Sequence, residues 1–186
     1  MLAAGLARRM GRQKLLLTLQ GRSLVRWSVE SLRPHVEDLV VVTGRDDAPL
    51  RTALEGADVR FVANPHPEAG QGSSIAVGVA SLSVATRAVV IALGDQPRVP
   101  DDVLRTLVAT WRRTGKAIVA PVYRGVQGTP VLFAAEVFVE LCALGGDAGA
   151  RSVVAREDDR VARVPFDIAM PSDVDTPEDF ARLHVE

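Results

Sequence analysis

The strongest constraint on how this chain can fold is its alternation of short apolar runs with helical patterns. Asp38-Leu-Val-Val-Val-Thr43 is a continuous apolar run stopped by Gly44, the pattern of a strand buried on both faces. Ala88-Val-Val-Ile-Ala-Leu93 is a stronger strand still. Between them, Val59-Arg-Phe-Val62 predicts a further strand, Asp47 to Leu54 a short helix, and Ser74 to Leu82 a helix opening just after Gly70 and Gly72. Leu24, Val25, Val29 and Leu32 share one helical stripe, and Pro34 ends it. Val103, Leu104, Leu107, Val108 and Trp111 form the cleanest amphipathic helix. Strands alternating with helices in this way build a parallel βαβ sheet.

From Ala117 the pattern loosens. Ala117-Ile-Val-Ala120 and Pro130-Val-Leu-Phe133 predict short strands around a glycine-rich turn, Gly125 to Gly128. Helices are expected near Ala134–Leu144 and Ala148–Arg156, then a strand from Arg160 to Pro165. Thr176-Pro177-Glu178-Asp179 starts a last helix with a hydroxyl cap, proline at the first position and acids in the first turn. No repeat or linker interrupts the chain, so residues 1–186 are expected to form one domain.

Composition excludes several classes. A net charge of −1 gives no global field for nucleic acid or an anionic membrane. No apolar run approaches the ~20 residues that span a bilayer. The single Cys142 cannot form an internal disulfide, which fits a reducing, cytoplasmic setting. The one asymmetry lies in residues 1–29, which carry Arg8, Arg9, Arg12, Lys14, Arg22 and Arg26 and no acid. An organelle transit peptide has that bias, but the glycines and Leu15-Leu16-Leu17 fit a folded loop, and an anion site explains the clustering.

That loop is the first chemical candidate. Leu2-Ala3-Ala4 ends a strand, Gly5 opens a turn, and Arg9, Gly11 and Lys14 follow. Backbone N–H groups and fixed cations so spaced suit a nucleoside triphosphate, although an ordinary strand–loop–helix turn has the same spacing. Gly94-Asp95-Gln96-Pro97 follows the strongest strand, and ligands of open parallel sheets lie beyond the carboxyl ends of the strands. Asp95 is thus placed near Gly5, where a carboxylate holds Mg²⁺ that arrives on substrate phosphates. Helix-dipole complementarity explains Glu178 and Asp179, but not Asp173 or Asp175, one of which is the expected second metal ligand. Gly70-Gln-Gly72-Ser73-Ser74 before a helix suits an anion, a ribose or a base, or is simply a flexible turn. Gly128-Thr129-Pro130 and Gly146-Asp147-Ala-Gly149-Ala-Arg151 complete the set, with Asp147 equally suited to capping a helix.

Together these pieces resemble the molybdenum-cofactor nucleotidyltransferases, within the MobA-like NTP transferase group related to sugar-phosphate nucleotidyltransferases. The resemblance covers essentially the whole chain. Within the group, the guanylyl branch typically reads Leu-Ala-Gly-Gly with Asp before the lysine, where this chain has Ala4 and Gln13. Gly-Asp-Gln-Pro and Gly-Asp-x-Gly-Ala-Arg look most like the molybdopterin cytidylyltransferase branch, although Thr129 stands where that branch usually has His.

The resemblance implies a Rossmann-like three-layer α/β/α fold with a mostly parallel sheet. It implies CMP transfer from CTP to the terminal phosphate of molybdopterin, with Mg²⁺ as cofactor and a molybdoenzyme as eventual client. Arg9 and Lys14 would neutralise the triphosphate, and Leu2, Ala3, Ala4, Gly5, Gly70, Ser73, Ser74 and Asp95 would contact the nucleotide. Asp95 and Asp175 would hold the metal, and Gly128, Thr129 and Asp147 the acceptor. Guanylyl transfer to the same cofactor and nucleotidyl transfer to a sugar or alditol phosphate are the enzyme alternatives. A silent nucleotide-binding cofactor chaperone is the alternative from another class. The family also places about five apolar residues before Leu-Ala-Ala-Gly, so the first strand is expected to be truncated here.

Overall fold

A computed structural model of the chain describes residues 1–5 and 13–183. In it the two strong apolar runs become Val40–Thr43 (β2) and Ala88–Ile91 (β4). They do not pair with each other, because Leu2–Ala3 (β1) lies between them, parallel to both. Leu2 and Ala3 pair with Val42 and Thr43 on one side. On the other, the Leu2 N–H donates to the Ala92 carbonyl and the Gly94 N–H to the Leu2 carbonyl, each at 2.9 Å. The ladder to β2 continues through Met1, whose amine donates to the Val40 carbonyl at 2.8 Å.

Arg60–Ala63 (β3) extends the sheet parallel to β2. On the other flank, Val131–Ala134 (β6) runs antiparallel to β4, and Ile118–Tyr123 (β5) antiparallel to β6. Val161–Phe166 (β7) closes that flank parallel to β5. The main strands thus run in the order β3-β2-β1-β4-β6-β5-β7, with β6 reversed, and the two-residue strand Val126–Gln127 pairs antiparallel with β5 at the sheet's margin. The chain leaves β1 toward β2 and β3, then returns to the other side of β1 for β4. That reversal makes the gap between the carboxyl ends of β1 and β4 the switch point where such sheets bind ligands.

Alternate side chains of the strands feed two cores. Val41, Ala92, Val119, Leu132 and Val164 pack on one face with Leu24–Leu32 (α1), Ala48–Ala53 (α2) and Asp101–Thr114 (α4). Ile91, Ile118, Ala120, Val131 and Phe133 pack on the other with Gln71–Ala80 (α3), Phe138–Cys142 (α5) and Arg151–Val154 (α6). The period of two along each strand therefore produces three layers. Phe133 is fully buried on the reversed strand. Phe133→Ala is expected to lower stability by about 3–5 kcal/mol, measured by urea unfolding.

Local signals explain most boundaries. Helix α1 buries Leu24, Val25, Ser28, Val29 and Leu32. Helix α4 begins with Asp101 and Asp102, carries Arg112 and Arg113 in its last turn, and stops at Gly115 in the left-handed region, as dipole complementarity and a glycine C-cap require. Pro177–Arg182 (α7) opens with a full capping box between Thr176 and Asp179.

Three expectations need correction. Helix α3 starts at Gln71 rather than Ser74, so Gly72, Ser73 and Ser74 belong to its first turns. The helix expected near Ala134–Leu144 is present but shorter, a 3₁₀ turn over Ala135–Val137 running directly into α5. The one expected over Ala148–Arg156 is only Arg151–Val154, because the backbone of the residues before it packs against the start of α3. Among the described residues no helix is long and apolar enough to cross a membrane.

Candidate active site

The β1–β4 gap is built around close backbone contact. A Cβ on Gly94 would lie 3.0 Å from the Leu2 carbonyl and 3.5 Å from Leu15 Cδ1, so glycine lets β4 turn directly against β1. The turn delivers Asp95 beyond the strand ends. Lys14 reaches the same place from the other side, as the first residue of the tight turn Lys14–Leu16 anchored by buried Leu15. Asp175 arrives from the loop before α7. Its N–H and that of Thr176 donate to Asp179 Oδ2 at 3.1 and 2.8 Å, and the Val174 N–H donates to the Asp95 carbonyl at 3.1 Å.

The three side chains meet at one point. Lys14 Nζ donates to Asp95 Oδ2 at 2.6 Å and to Asp175 Oδ1 at 2.7 Å. Lys14 and Asp95 are largely enclosed, whereas Asp175 is about half exposed. Burial pulls the Lys14 pKa down, but the hydrogen bonds and charges of Asp175 and Asp95 outweigh it and hold the group above the usual lysine value. The ammonium therefore keeps its charge at physiological pH. Asp173, close by, is pushed above the usual carboxylate range by burial and by the charges of Asp95 and Asp175, against a hydrogen bond from Gln96 and the charge of Lys14.

Among the described residues no group of three or more His, Cys, Asp or Glu side chains forms a metal cage. Two carboxylate oxygens that converge on one cation, Asp95 Oδ2 and Asp175 Oδ1, nonetheless fit a hard divalent ion. Mg²⁺ commonly takes one or two carboxylates and completes its shell with water and substrate phosphates.

Beside the cluster lies a pocket of about 340 Å³, whose lining includes Leu2, Gln96, Gly128, Thr129, Asp147 and Asp173. The structure thus brings Asp147 together with the adjacent Gly128 and Thr129 around one space next to the carboxylates. Gln96 and Gln71 also line it and are not among the site residues expected from sequence; the signal for Gln96 is its place in Gly94-Asp95-Gln96-Pro97. Arg151 stands on the same wall.

Gly70 and Gly72 serve packing. Gly70 has φ +91°, and a Cβ there would overlap the Gly146 carbonyl oxygen. A Cβ on Gly72 would lie 2.9 Å from the Ala148 and Gly145 carbonyls, and the Gly72 N–H donates to Gly146 at 3.0 Å. Gly70→Ala should therefore cost about 2–4 kcal/mol, seen as a thermal midpoint lowered by roughly 5–10 °C. Ser73 and Ser74 accept hydrogen bonds from Asn64 Nδ2 at 2.8 and 3.0 Å, which pins the start of α3 to the end of β3. Ala3 and Ala4 are buried at the end of β1. Gly5 is exposed, and among the described residues nothing lies within 4 Å of where its Cβ would be. Arg9 lies outside the described residues.

The family model of the MobA-like NTP transferase domain matches residues 1–161. The chain belongs to this family. As a MobA-like protein it is a nucleotidyltransferase with a Rossmann-like α/β fold. It is 30% identical to the purine catabolism protein PucB of Bacillus subtilis (strain 168), over 96% of this chain and 91% of that protein. It is 34% identical to a molybdenum cofactor guanylyltransferase of Cereibacter sphaeroides, over 97% and 92%. Identity to the molybdenum cofactor cytidylyltransferase of Escherichia coli (strain K12) is 23%, over 96% and 90%. Among solved structures, Rv0371c from Mycobacterium tuberculosis H37Rv superposes with a TM-score of 0.85 at 29% identity, covering 100% of this chain and 96% of that one. Its complex with manganese gives 0.84 at 28%, covering 99% and 95%.

Proposed function

We propose that this MobA-like protein transfers CMP from CTP to the terminal phosphate of molybdopterin and releases pyrophosphate. The observation that carries this reading is the convergence of Lys14, Asp95 and Asp175 at the β1–β4 switch point, beside a pocket large enough for an acceptor. An oxygen of the acceptor phosphate forms a bond to the α-phosphorus of CTP as the bond from that phosphorus to the pyrophosphate oxygen breaks. Such a displacement needs placement and charge neutralisation more than covalent help.

Each residue then has a role. Lys14 and Arg9 neutralise the triphosphate, and the backbone at Leu2, Ala3, Ala4 and Gly5 lies along the nucleotide. Gly70, Ser73 and Ser74 place the start of α3 toward the base and ribose. Gly128, Thr129 and Asp147 wall the acceptor. Asp95 and Asp175 would hold Mg²⁺, which supplies charge neutralisation at the phosphates. The manganese complex of the M. tuberculosis relative supports use of a divalent ion. A cytoplasmic molybdoenzyme would receive the product.

Ala4 and Gln13 favour cytidylyl over guanylyl transfer, since they stand where the guanylyl branch typically has Gly and Asp. Guanylyl transfer is the second reading, favoured by the higher identity to the C. sphaeroides guanylyltransferase. Pyrophosphate release measured with each of CTP, GTP, ATP and UTP, with and without molybdopterin, separates them. Acceptor-dependent release confined to CTP is expected. Release confined to GTP would establish the second reading.

A further inference from the structure

Gln96 directly follows Asp95, yet its side chain takes no part in the ammonium cluster. It is 1% exposed, and its amide bonds to two other loops. Oε1 accepts from Thr129 Oγ1 at 2.7 Å, in the loop between β5 and β6. Nε2 donates to the Pro171 carbonyl at 3.2 Å. The stretch 171–175, which ends in Asp175, is thus tied to residues 95–96 twice, through Gln96 and through the Val174–Asp95 backbone bond.

The Thr129 side is equally confined. Tyr123 Oη donates to the Thr129 carbonyl at 2.9 Å. A Cβ on Gly128 would meet Met170 Sδ at 2.6 Å and the Tyr123 ring at 2.9 Å. The two loops therefore touch each other at the pocket wall, and one buried amide bonds to both. The bonds require an acceptor for a hydroxyl and a donor for a carbonyl on one side chain. An amide supplies both; a carboxylate lacks the donor and an alkyl group lacks everything.

We infer that Gln96 is a positioning residue for nucleotidyl transfer: it locks the pocket wall at Thr129 to the loop that carries Asp175, so pocket and cluster keep one relative geometry. The inference rests on the proposed function for its catalytic meaning, but the locking itself can be measured without turnover. A displacement of about 1 Å at such a site costs on the order of 100-fold in rate, so the effect belongs in kcat.

The test uses the full chain with Gln96→Leu, Gln96→Glu, Thr129→Val and Thr129→Ser. In hydrogen exchange, both Gln96 variants should expose amides of 127–130 and 171–176 about tenfold faster, with β2 and β4 unchanged. In turnover, both should lower kcat by about 10- to 100-fold with KM for CTP within about twofold. In exchange, Thr129→Val should expose the same two loops, Thr129→Ser, which keeps the hydroxyl donor to Gln96 Oε1, should retain their protection, and adding Thr129→Val to Gln96→Leu should expose them little further. Unchanged exchange in the two loops, loss of protection across the whole sheet, or additive effects in the double variant would overturn the inference. If the Gln96 variants do not fold, the contrast between Thr129→Val and Thr129→Ser decides by the same readouts. If the wild type turns over no nucleotide, the proposed function fails while the exchange measurement still judges Gln96.

Discussion

Asp95→Ala is expected to reduce pyrophosphate release by about 100- to 1000-fold while leaving the fold intact. Asp95 contributes to the structure mainly through its carbonyl, which receives the Val174 N–H, and that bond does not need the side chain. The carboxylate is one of the two groups on Lys14, and Asp175 remains to satisfy the ammonium. What disappears is half of the convergent oxygen pair proposed to hold the cation at the phosphates. The measurement is pyrophosphate release from CTP and molybdopterin, alongside circular dichroism of the variant. A purified Asp95→Ala protein that turns over at the wild-type rate would remove Asp95 from the metal site.

Lys14→Ala should produce two effects of opposite sign. The ammonium sits between the oxygens assigned to the divalent ion, so ion and ammonium compete for them until a triphosphate gives Lys14 another partner. Each charge-assisted hydrogen bond is worth about 1.5–3 kcal/mol, and 1.4 kcal/mol is tenfold in affinity. Without nucleotide, Lys14→Ala should therefore bind Mn²⁺ at least about tenfold more tightly, by calorimetry or electron paramagnetic resonance. With CTP present it should turn over about 100-fold more slowly, because the triphosphate loses a fixed cation. Equal or weaker Mn²⁺ binding would show that ion and ammonium do not share the carboxylates. Unchanged turnover would take Lys14 out of the reaction.

Residue by residue, the fold was more legible than the site. The runs at 38–43 and 88–93 announced β2 and β4 because a strand buried on both faces has no polar alternation. The α4 stripe and the Thr176 capping box were equally plain, since each is encoded within one or two helical turns. The reversed direction of β6 left no trace, because a short apolar strand reads the same in either orientation. Gly70 and Gly72 showed the limit differently. Their pattern suits an anion or a ribose, whereas the atoms packed against them are backbone atoms of residues 145–148, which no local pattern names. The role of Gln96 is hidden for the same reason, as its partners are Thr129 and Pro171.

The sequence by itself determined which groups this chain can offer: a cation after a glycine turn, an acid after its strongest strand and two more before its last helix. It determined the layers too, because hydrophobic period and helix caps act over a few residues. Only the tertiary structure decided that Lys14, Asp95 and Asp175 share one point, although 81 and 161 residues of chain separate the lysine from its partners. The physical reason is the strand order: placing β1 between β2 and β4 brings their carboxyl ends together, and short hydrogen bonds require a proximity that local sequence does not encode.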